Sequence, residues 1–293
     1  MLSLIIPVFN EEGAVRQCIA DAQKALAQCG TDFEIIVVND GSTDGTSLIL
    51  DQLTLEHVSV VKHSTNRGNG AAIKTGIRHA HGDTIATVDA DGTYPIADIP
   101  KLFKIMQESG ADMVVAARRM GSENTTICNR IGKLILTRLA IHLTQMHIPD
   151  INSGLRLINR SLVEKFAHLF PDGFSTHITI TLAALTNGYR VEYVATDYYE
   201  RIGKSKLSTN MYGPLNFFRF LCIVGRIVLY FRPMRFFVAP SVLLCCAAIV
   251  TFIYGIVVQN DIAQMSLVLL VAGLQLACFG LLADMISRDS QKK

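Results

Sequence analysis

The segment Thr84-Ile85-Ala86-Thr87-Val88-Asp89-Ala90-Asp91 (residues 84–91) runs a short apolar stretch into two acids one residue apart. Residues 84–89 predict a buried strand. Two carboxylates just past a strand can both reach one divalent cation, and hard oxygen ligands in that place suit Mg²⁺ or Mn²⁺. A turn with Asp at its capping positions fits the same three residues; what tips the reading is the company they keep.

Strand-like and helix-like segments alternate on both sides of this one. Upstream, strands are predicted at residues 2–8, 33–39 and 58–63, with helices at 12–27, 44–53 and 70–80. Downstream come a helix at 96–109, a strand at 113–118, and strands at 155–159 and 190–195 around a helix at 176–187. This alternation predicts an α/β fold with a mostly parallel sheet covered on both faces. In such sheets ligands bind beyond the carboxyl ends of the strands. The polar residues fall there: Pro7-Val8-Phe9-Asn10-Glu11 after the first strand, Asn39-Asp40 after the second, Asp89 and Asp91 after the fourth, Arg118-Arg119 after the fifth. Acids and arginines delivered to one edge by four strands imply a metal site, a phosphate site, or both.

The segment Arg67-Gly68-Asn69-Gly70-Ala71-Ala72 resembles part of a dinucleotide fingerprint. It follows the third strand, not the first, and has Ile73 at the third glycine position. It reads either as a helix start close to a nucleotide or as a plain loop. No H-E-x-x-H or nucleophile elbow occurs, which argues against zinc hydrolysis and acyl transfer.

The chain has 293 residues, 50% hydrophobic and 18% charged, with a mean hydropathy of +0.33. The apolar excess lies at the end. Residues 236–258 carry no charge, and residues 265–286 carry only Asp284. Each is long enough to cross a bilayer once, which needs about 20 residues. Arg232 and Arg235 precede the first, and Arg288, Lys292 and Lys293 follow the second, so the positive-inside rule expects both termini in the cytoplasm. A buried helical hairpin is the alternative. Residues 213–231 hold Arg219 and Arg226 seven apart, as in a helix lying in the membrane interface or a third buried helix. The start MLSLIIPVFNEE has no basic n-region and reads as a strand. Seven cysteines without a C-x-x-C pair read as free thiols of a reducing compartment. A net charge of +2 gives no nucleic-acid footprint.

LSLIIPVFNEE (2–12), IIVVNDGSTDGT (35–46), NRGNGAAIKTGI (66–77), GDTIATVDADGTYP (82–95), DMVVAARRM (112–120), INSGLRLINR (151–160) and RIGKSK (201–206) together resemble family 2 glycosyltransferases of the GT-A fold. Within these, the chain resembles the polyprenyl-phosphate (dolichyl- or undecaprenyl-phosphate) glycosyltransferases with two C-terminal spans. The resemblance implies a GT-A Rossmann-like, mostly parallel sheet in a cytoplasmic domain (1–210), an amphipathic interfacial region (211–234) and a transmembrane hairpin (235–293) in the inner membrane. It implies inverting transfer of one sugar from a UDP- or GDP-linked donor to a polyprenyl phosphate, with Mg²⁺ or Mn²⁺. It assigns Pro7, Phe9, Glu11 and Asp40 to the donor nucleotide, and Asp89 and Asp91 to the metal and diphosphate. Arg118 and Arg130 are assigned to the acceptor phosphate, and Arg201, Ser205 and Lys206 to a juxtamembrane loop closing over the phosphates. Asn39 stands where the family often has Asp, and Thr93 where a further metal ligand, often Gln, is found. Expected partners are the nucleotide-sugar, the lipid and the membrane, with no nucleic acid; a homo-oligomer is left open. Two rivals stand beside this reading. A polysaccharide-chain glycosyltransferase would want a Q-x-x-R-W motif, and the chain has no Trp. A non-catalytic nucleotide-sugar-binding membrane protein would not need Asp89, Asp91 and Arg118.

Overall fold

The structure, a computed structural model, describes residues 1–119, 141, 148–173, 176–201, 225, 229, 233–259 and 264–290. Arg130, Ser205, Lys206 and almost all of the expected interfacial region lie outside these residues. The chain divides into two compact units, Met1–Arg138 with Met146–Phe220, and Leu139–Gln145 with Leu221–Lys293.

The first unit is built on seven strands: β1 (Leu2–Val8), β2 (Phe33–Asn39), β3 (Val58–Lys62), β4 (Thr84–Thr87), β5 (Met113–Arg118), β6 (Arg156–Asn159) and β7 (Val191–Thr196). Their order is β3-β2-β1-β4-β6-β5-β7. All pairings are parallel except those of β6, which runs antiparallel to β4 and β5. Because β6 runs backwards, the residues before it, Asp150–Leu155, arrive at the edge where the parallel strands end. That reversal brings a fifth loop to the candidate site.

The central strands carry apolar side chains on both faces because helices cover both. Leu2, Leu4, Ile5, Ile6, Val8 and Ile35–Val38 are all buried. Helix α1 (Val15–Ala27) buries Val15, Cys18, Ile19, Ala22, Ala25 and Leu26, the three- and four-residue spacing of one helical stripe. Helix α3 (Asn69–His79) packs on β1 and β2, and Gly76 meets Ile5 so closely that a Cβ has no room.

Some boundaries differ from the sequence expectation for local reasons. Helix α1 begins at Val15 and not at Glu12, whose carboxylate instead accepts the Gly45 N–H at 2.8 Å. Helix α2 is only Thr46–Asp51, with Asp44 Oδ1 accepting from Thr46 N at 3.0 Å before its first turn. The helix expected from residue 96 opens as a 3₁₀ turn, Ile96–Asp98, then continues as α4 (Ile99–Ser109) and stops at the left-handed Gly110 (φ 64°). Helix α5 (Arg160–Phe166) was not anticipated; α6 (Thr176–Thr186) was.

The second unit contains α7 (Pro233–Tyr254), one π turn (Gly255–Gln259) and α8 (Gln264–Ser290). Within Phe236–Val257 and Gln264–Ser287 the most apolar 18 residues have mean hydropathies of 2.5 and 2.3, and both helices are long and apolar enough to cross a membrane. They touch through small residues: Ser241 Oγ donates to Gly273 O at 2.8 Å, and a Cβ at Gly273 would lie 2.7 Å from Cys245 Sγ. Leu243, Val250 and Val257, seven apart, point outward at 68%, 66% and 75% exposure. A hairpin buried in a larger core would hide that face. Among the described residues Cys18, Cys29, Cys245, Cys246 and Cys278 are free thiols.

Candidate active site

Strand β4 ends its pairing at Thr87, opposite Arg156 of β6, and the chain continues through Val88 into Asp89 and Asp91. Asp89 is packed against Gly154; a Cβ there would come within 2.8 Å of the Asp89 carboxyl carbon. Burial first, and the Asp91 charge second, push the Asp89 carboxyl well above the usual carboxylate range, against the pull of Arg201, Arg156 and the Asn69 side chain. Asp91 is oriented by Thr93, which donates its N–H (3.1 Å) and its hydroxyl (2.6 Å) to Asp91 Oδ1. Thr93, which stands where a further metal ligand is often found, thus aims Asp91 through two hydrogen bonds.

Arg201 meets the same acids. Its Nη1 lies 3.4 Å from Asp91 Oδ2, its Nη2 donates to Glu11 Oε1, and its Nε is buried with no hydrogen-bond partner. Through Arg201, Glu11 is thus linked to Asp91. The donor set, two carboxylates two residues apart with one of them desolvated by burial, fits a hard divalent ion. Among the described residues no group of three His, Cys, Asp or Glu side chains is placed to hold a metal. The rest of an Mg²⁺ or Mn²⁺ shell then falls to water and phosphate oxygens, the ordinary arrangement for Mg²⁺.

Beneath these acids lies Arg156, fully buried. Its Nε donates to Ser153 O (3.0 Å) and its Nη1 to His177 O and Thr181 Oγ1 (2.9 Å each). Burial pulls its pKa down to about 10. The guanidinium is held by carbonyl and hydroxyl oxygens and supplies a fixed positive charge below the site.

Arg118 closes β5 at the neighbouring strand end. It forms a two-pronged pair with Asp150, Nε to Oδ2 at 2.7 Å and Nη2 to Oδ1 at 3.0 Å. Its guanidinium carbon lies 5.3 Å from the centre of the Tyr198 ring. Tyr94 meets Tyr198 edge to face, and its hydroxyl accepts the Gly154 N–H at 2.9 Å. A chain of contacts therefore runs from Arg118 through Tyr198, Tyr94 and Gly154 to Asp89. The segment after β7 is tied to the loop after Asp91: Tyr199 N donates to Thr93 O at 2.9 Å, and Thr196 Oγ1 to Asp98 Oδ2 at 2.6 Å.

On the β1–β2 side, Pro7 lies in β1 and Phe9 and Glu11 just beyond it. Asn10 adopts the left-handed region (φ 55°), and its N–H donates to Ser42 Oγ at 2.9 Å. Asp40, expected to face the nucleotide, is 3% exposed and engaged within the chain. Its Oδ1 meets His63 Nδ1 (2.6 Å) and the Arg67 N–H (2.9 Å), and its Oδ2 accepts the Gly68 N–H (2.8 Å). His63 in turn meets Thr75 Oγ1 through Nε2 at 2.9 Å. Asp40 here anchors the glycine segment. That segment is a helix start, with Gly68 at φ +99°, and the first amides of α3 already have acceptors: Gly70 N donates to Gly173 O (2.9 Å) and Ala71 N to Asp172 O (2.8 Å). Its Asn69 side chain favours the charged form of Asp89.

The structure thus gathers Glu11, Asp89, Asp91 and Arg201 into one cluster and links it to Arg118. Asp150, Gly154, Tyr94, Tyr198 and Arg156 were not singled out from sequence. Gly154 and Arg156 lie within INSGLRLINR, and Asp150 directly precedes it.

The profile described as "Glycosyl transferase family 2" matches residues 3–167, the stretch from β1 through α5 that carries the acids. The chain belongs to glycosyl transferase family 2. A second profile, "GtrB C-terminal hairpin", matches residues 232–288. An undecaprenyl-phosphate 4-deoxy-4-formamido-L-arabinose transferase from Proteus mirabilis is 28% identical, over 98% of this chain and 88% of its own length. A dolichyl-phosphate beta-glucosyltransferase from Saccharomyces cerevisiae is 27% identical, over 68% of this chain and 67% of its own. Among solved structures, glucosyl-3-phosphoglycerate synthase from Mycobacterium tuberculosis, in complex with Mn²⁺, UDP and phosphoglyceric acid, aligns with a TM-score of 0.62, 19% identity and 78% coverage of each chain. That likeness gives the fold: the mostly parallel GT-A sheet in which β6 alone is reversed.

Proposed function

We propose that this family 2 glycosyltransferase moves one sugar from a UDP- or GDP-linked donor to a polyprenyl phosphate, with inversion at the anomeric carbon. The observation that carries the reading is the contact chain joining the Asp89–Asp91 pair to Arg118. It sets an acidic, metal-suited site beside an oriented guanidinium, as transfer between a diphosphate leaving group and a phosphate nucleophile requires. The names of the Proteus and yeast relatives support the acceptor class.

In this reading Asp89 and Asp91 hold Mg²⁺ or Mn²⁺, with Thr93 aiming Asp91. The bound ion supplies neutralisation of the charge that grows on the departing diphosphate. Pro7, Phe9 and Glu11 line the donor nucleotide, and Asp40 acts by fixing the loop beside it. Arg118, with Arg130, holds the acceptor phosphate in line with the anomeric carbon. A phosphate monoester has a second pKa near 6, so its oxygen is already anionic at pH 7 and needs no strong general base. Arg201, Ser205 and Lys206 belong to the loop that closes over the phosphates.

Residues 1–210 form the cytoplasmic domain, 211–234 an interfacial segment and 235–293 the membrane hairpin, with both termini in the cytoplasm. The arginines and lysines flanking the spans support this orientation. The test is a panel of UDP- and GDP-sugars offered with undecaprenyl phosphate in detergent. Transfer to the lipid by the natural protein, abolished in Asp91→Asn with circular dichroism unchanged, is the expected result. Full transfer by Asp91→Asn in EDTA overturns the metal assignment.

A further inference from the structure

Asp150 is built to receive Arg118 before any substrate arrives. It is 3% exposed and stands just before β6, at the edge where β5 ends. Its own orientation is set by the backbone, since Oδ2 accepts the Arg118 N–H at 3.2 Å and Oδ1 the Asn152 N–H at 3.1 Å. The same two oxygens then take Nε and Nη2 along one edge of the guanidinium. The Tyr198 ring covers its face, and Tyr94 backs that ring edge-on at 5.3 Å and 78°. A guanidinium is planar, so a carboxylate on one edge and a ring on one face fix the direction of every N–H it carries.

We propose that Asp150 is a positioning residue for phosphate-monoester recognition, acting through Arg118, with Tyr198 as the second wall of the same clamp. The inference rests on the reading that Arg118 contacts the acceptor phosphate. It has a sign that simple electrostatics does not. Removing a negative charge from beside an anion site should tighten anion binding. If Asp150 works by orienting Arg118, removing its charge weakens binding instead.

The test uses the full chain in detergent with undecaprenyl phosphate as the probe, and Mn²⁺–UDP or Mn²⁺–GDP binding as the reference. Asp150→Asn should weaken the lipid Kd by about 10- to 100-fold, the cost expected of a misplaced binding group. Arg118→Gln should weaken it at least as much. The double variant should be no weaker than Arg118→Gln, because Asp150 has nothing to orient once the guanidinium is gone. Tyr198→Leu should weaken binding several-fold and Tyr198→Phe should not; this pair reads the same clamp should Asp150→Asn fail to fold. Equal or tighter lipid binding by Asp150→Asn overturns the proposal. So does full additivity in the double variant, an equal loss of nucleotide binding, or wild-type affinity in Tyr198→Leu. If Arg118→Gln itself binds the lipid normally, the acceptor reading of Arg118 fails and the clamp falls with it; if only Asp150→Asn is silent, the acceptor reading stands and the clamp alone is lost.

Discussion

Arg201 places its Nη1 3.4 Å from Asp91 Oδ2 while the same guanidinium grips Glu11. These residues come from opposite ends of the domain: Glu11 follows the first strand, Arg201 the last. A protein cation thus lies against the acids proposed to hold Mg²⁺ or Mn²⁺, and a divalent ion reaching Asp91 meets a like charge.

Removing that charge should help the ion. Arg201→Met is expected to raise the affinity of the nucleotide-free protein for Mn²⁺ about tenfold, since like charges a few ångströms apart repel even when partly screened. The electron paramagnetic resonance signal of free Mn²⁺ during titration reads this directly. Mn²⁺ affinity equal to the natural protein's would mean that Arg201 does not compete.

Gly154 gives a second prediction. A methyl group there collides with the Asp89 carboxyl. Gly154→Ala should therefore cost about 100-fold in transfer, as displacement of a binding group by roughly an ångström can. Mn²⁺ binding should weaken in parallel and far-UV circular dichroism should not change. Normal Mn²⁺ affinity in Gly154→Ala would show that Asp89 is not a ligand.

Asp40 separates an anchor from a contact. With its carboxylate engaged by His63 and by the Arg67 and Gly68 amides, Asp40→Ala strands buried donors, at a cost of about 2–4 kcal/mol in stability. The drop in thermal midpoint should appear without nucleotide, and UDP or GDP affinity should fall more than lipid affinity. An unchanged midpoint with lost nucleotide binding would return Asp40 to direct contact.

Much of this was readable from residues alone, for identifiable reasons. Leu2–Val8, Phe33–Asn39 and Met113–Arg118 were bounded as the structure has them, because a strand covered on both faces is a continuous apolar run ending in polar residues. Asp89 and Asp91 stand out in the sequence because they directly follow the apolar run of β4. Asp150 does not, since it meets Arg118 across 32 residues and no spacing rule links them. Arg201 meets Glu11 across 190 residues, and only the assembled sheet brings them together. The partners of Asp40 were hidden for a related reason: His63, Arg67 and Gly68 reach its carboxylate only once the loop after β3 is folded.

The Asp150–Arg118 pair also sets a pH dependence. Burial alone would raise the Asp150 carboxyl, but the hydrogen bonds and charge of Arg118 outweigh it and hold the carboxyl below its ordinary value of 3.8. A lowered carboxylate stabilises the fold above its unfolded pKa and loses that contribution as pH falls through the folded one. The gap in unfolding free energy between the natural protein and Asp150→Asn, about 1.5–3 kcal/mol for charged hydrogen bonds, should stay level from about pH 8 to 5 and close only below about pH 4. A gap that closes near neutrality would contradict the pair.

Orientation of the hairpin is tested with single cysteines in a cysteine-free background. Ile262→Cys should react with an impermeant maleimide from outside intact cells, and Lys292→Cys only after lysis. Labelling of Lys292→Cys from outside would reverse the proposed topology.

The reversed strand β6 also bears on how the protein is made. Among the described residues strand β5 hydrogen-bonds only to β6 and β7, both later in the chain, whereas β1 to β4 find partners among themselves. On the ribosome Met113–Arg118 therefore emerges as an apolar strand with two open edges. It waits until Asn159 has been added, about 2–8 s at ordinary synthesis rates. Open apolar edges recruit other chains, so this interval is where a growing chain is most exposed to chaperones and to misassembly. Slowing translation between the codons for Arg118 and Asn159 should lower the yield of folded protein more than slowing it anywhere before Thr87.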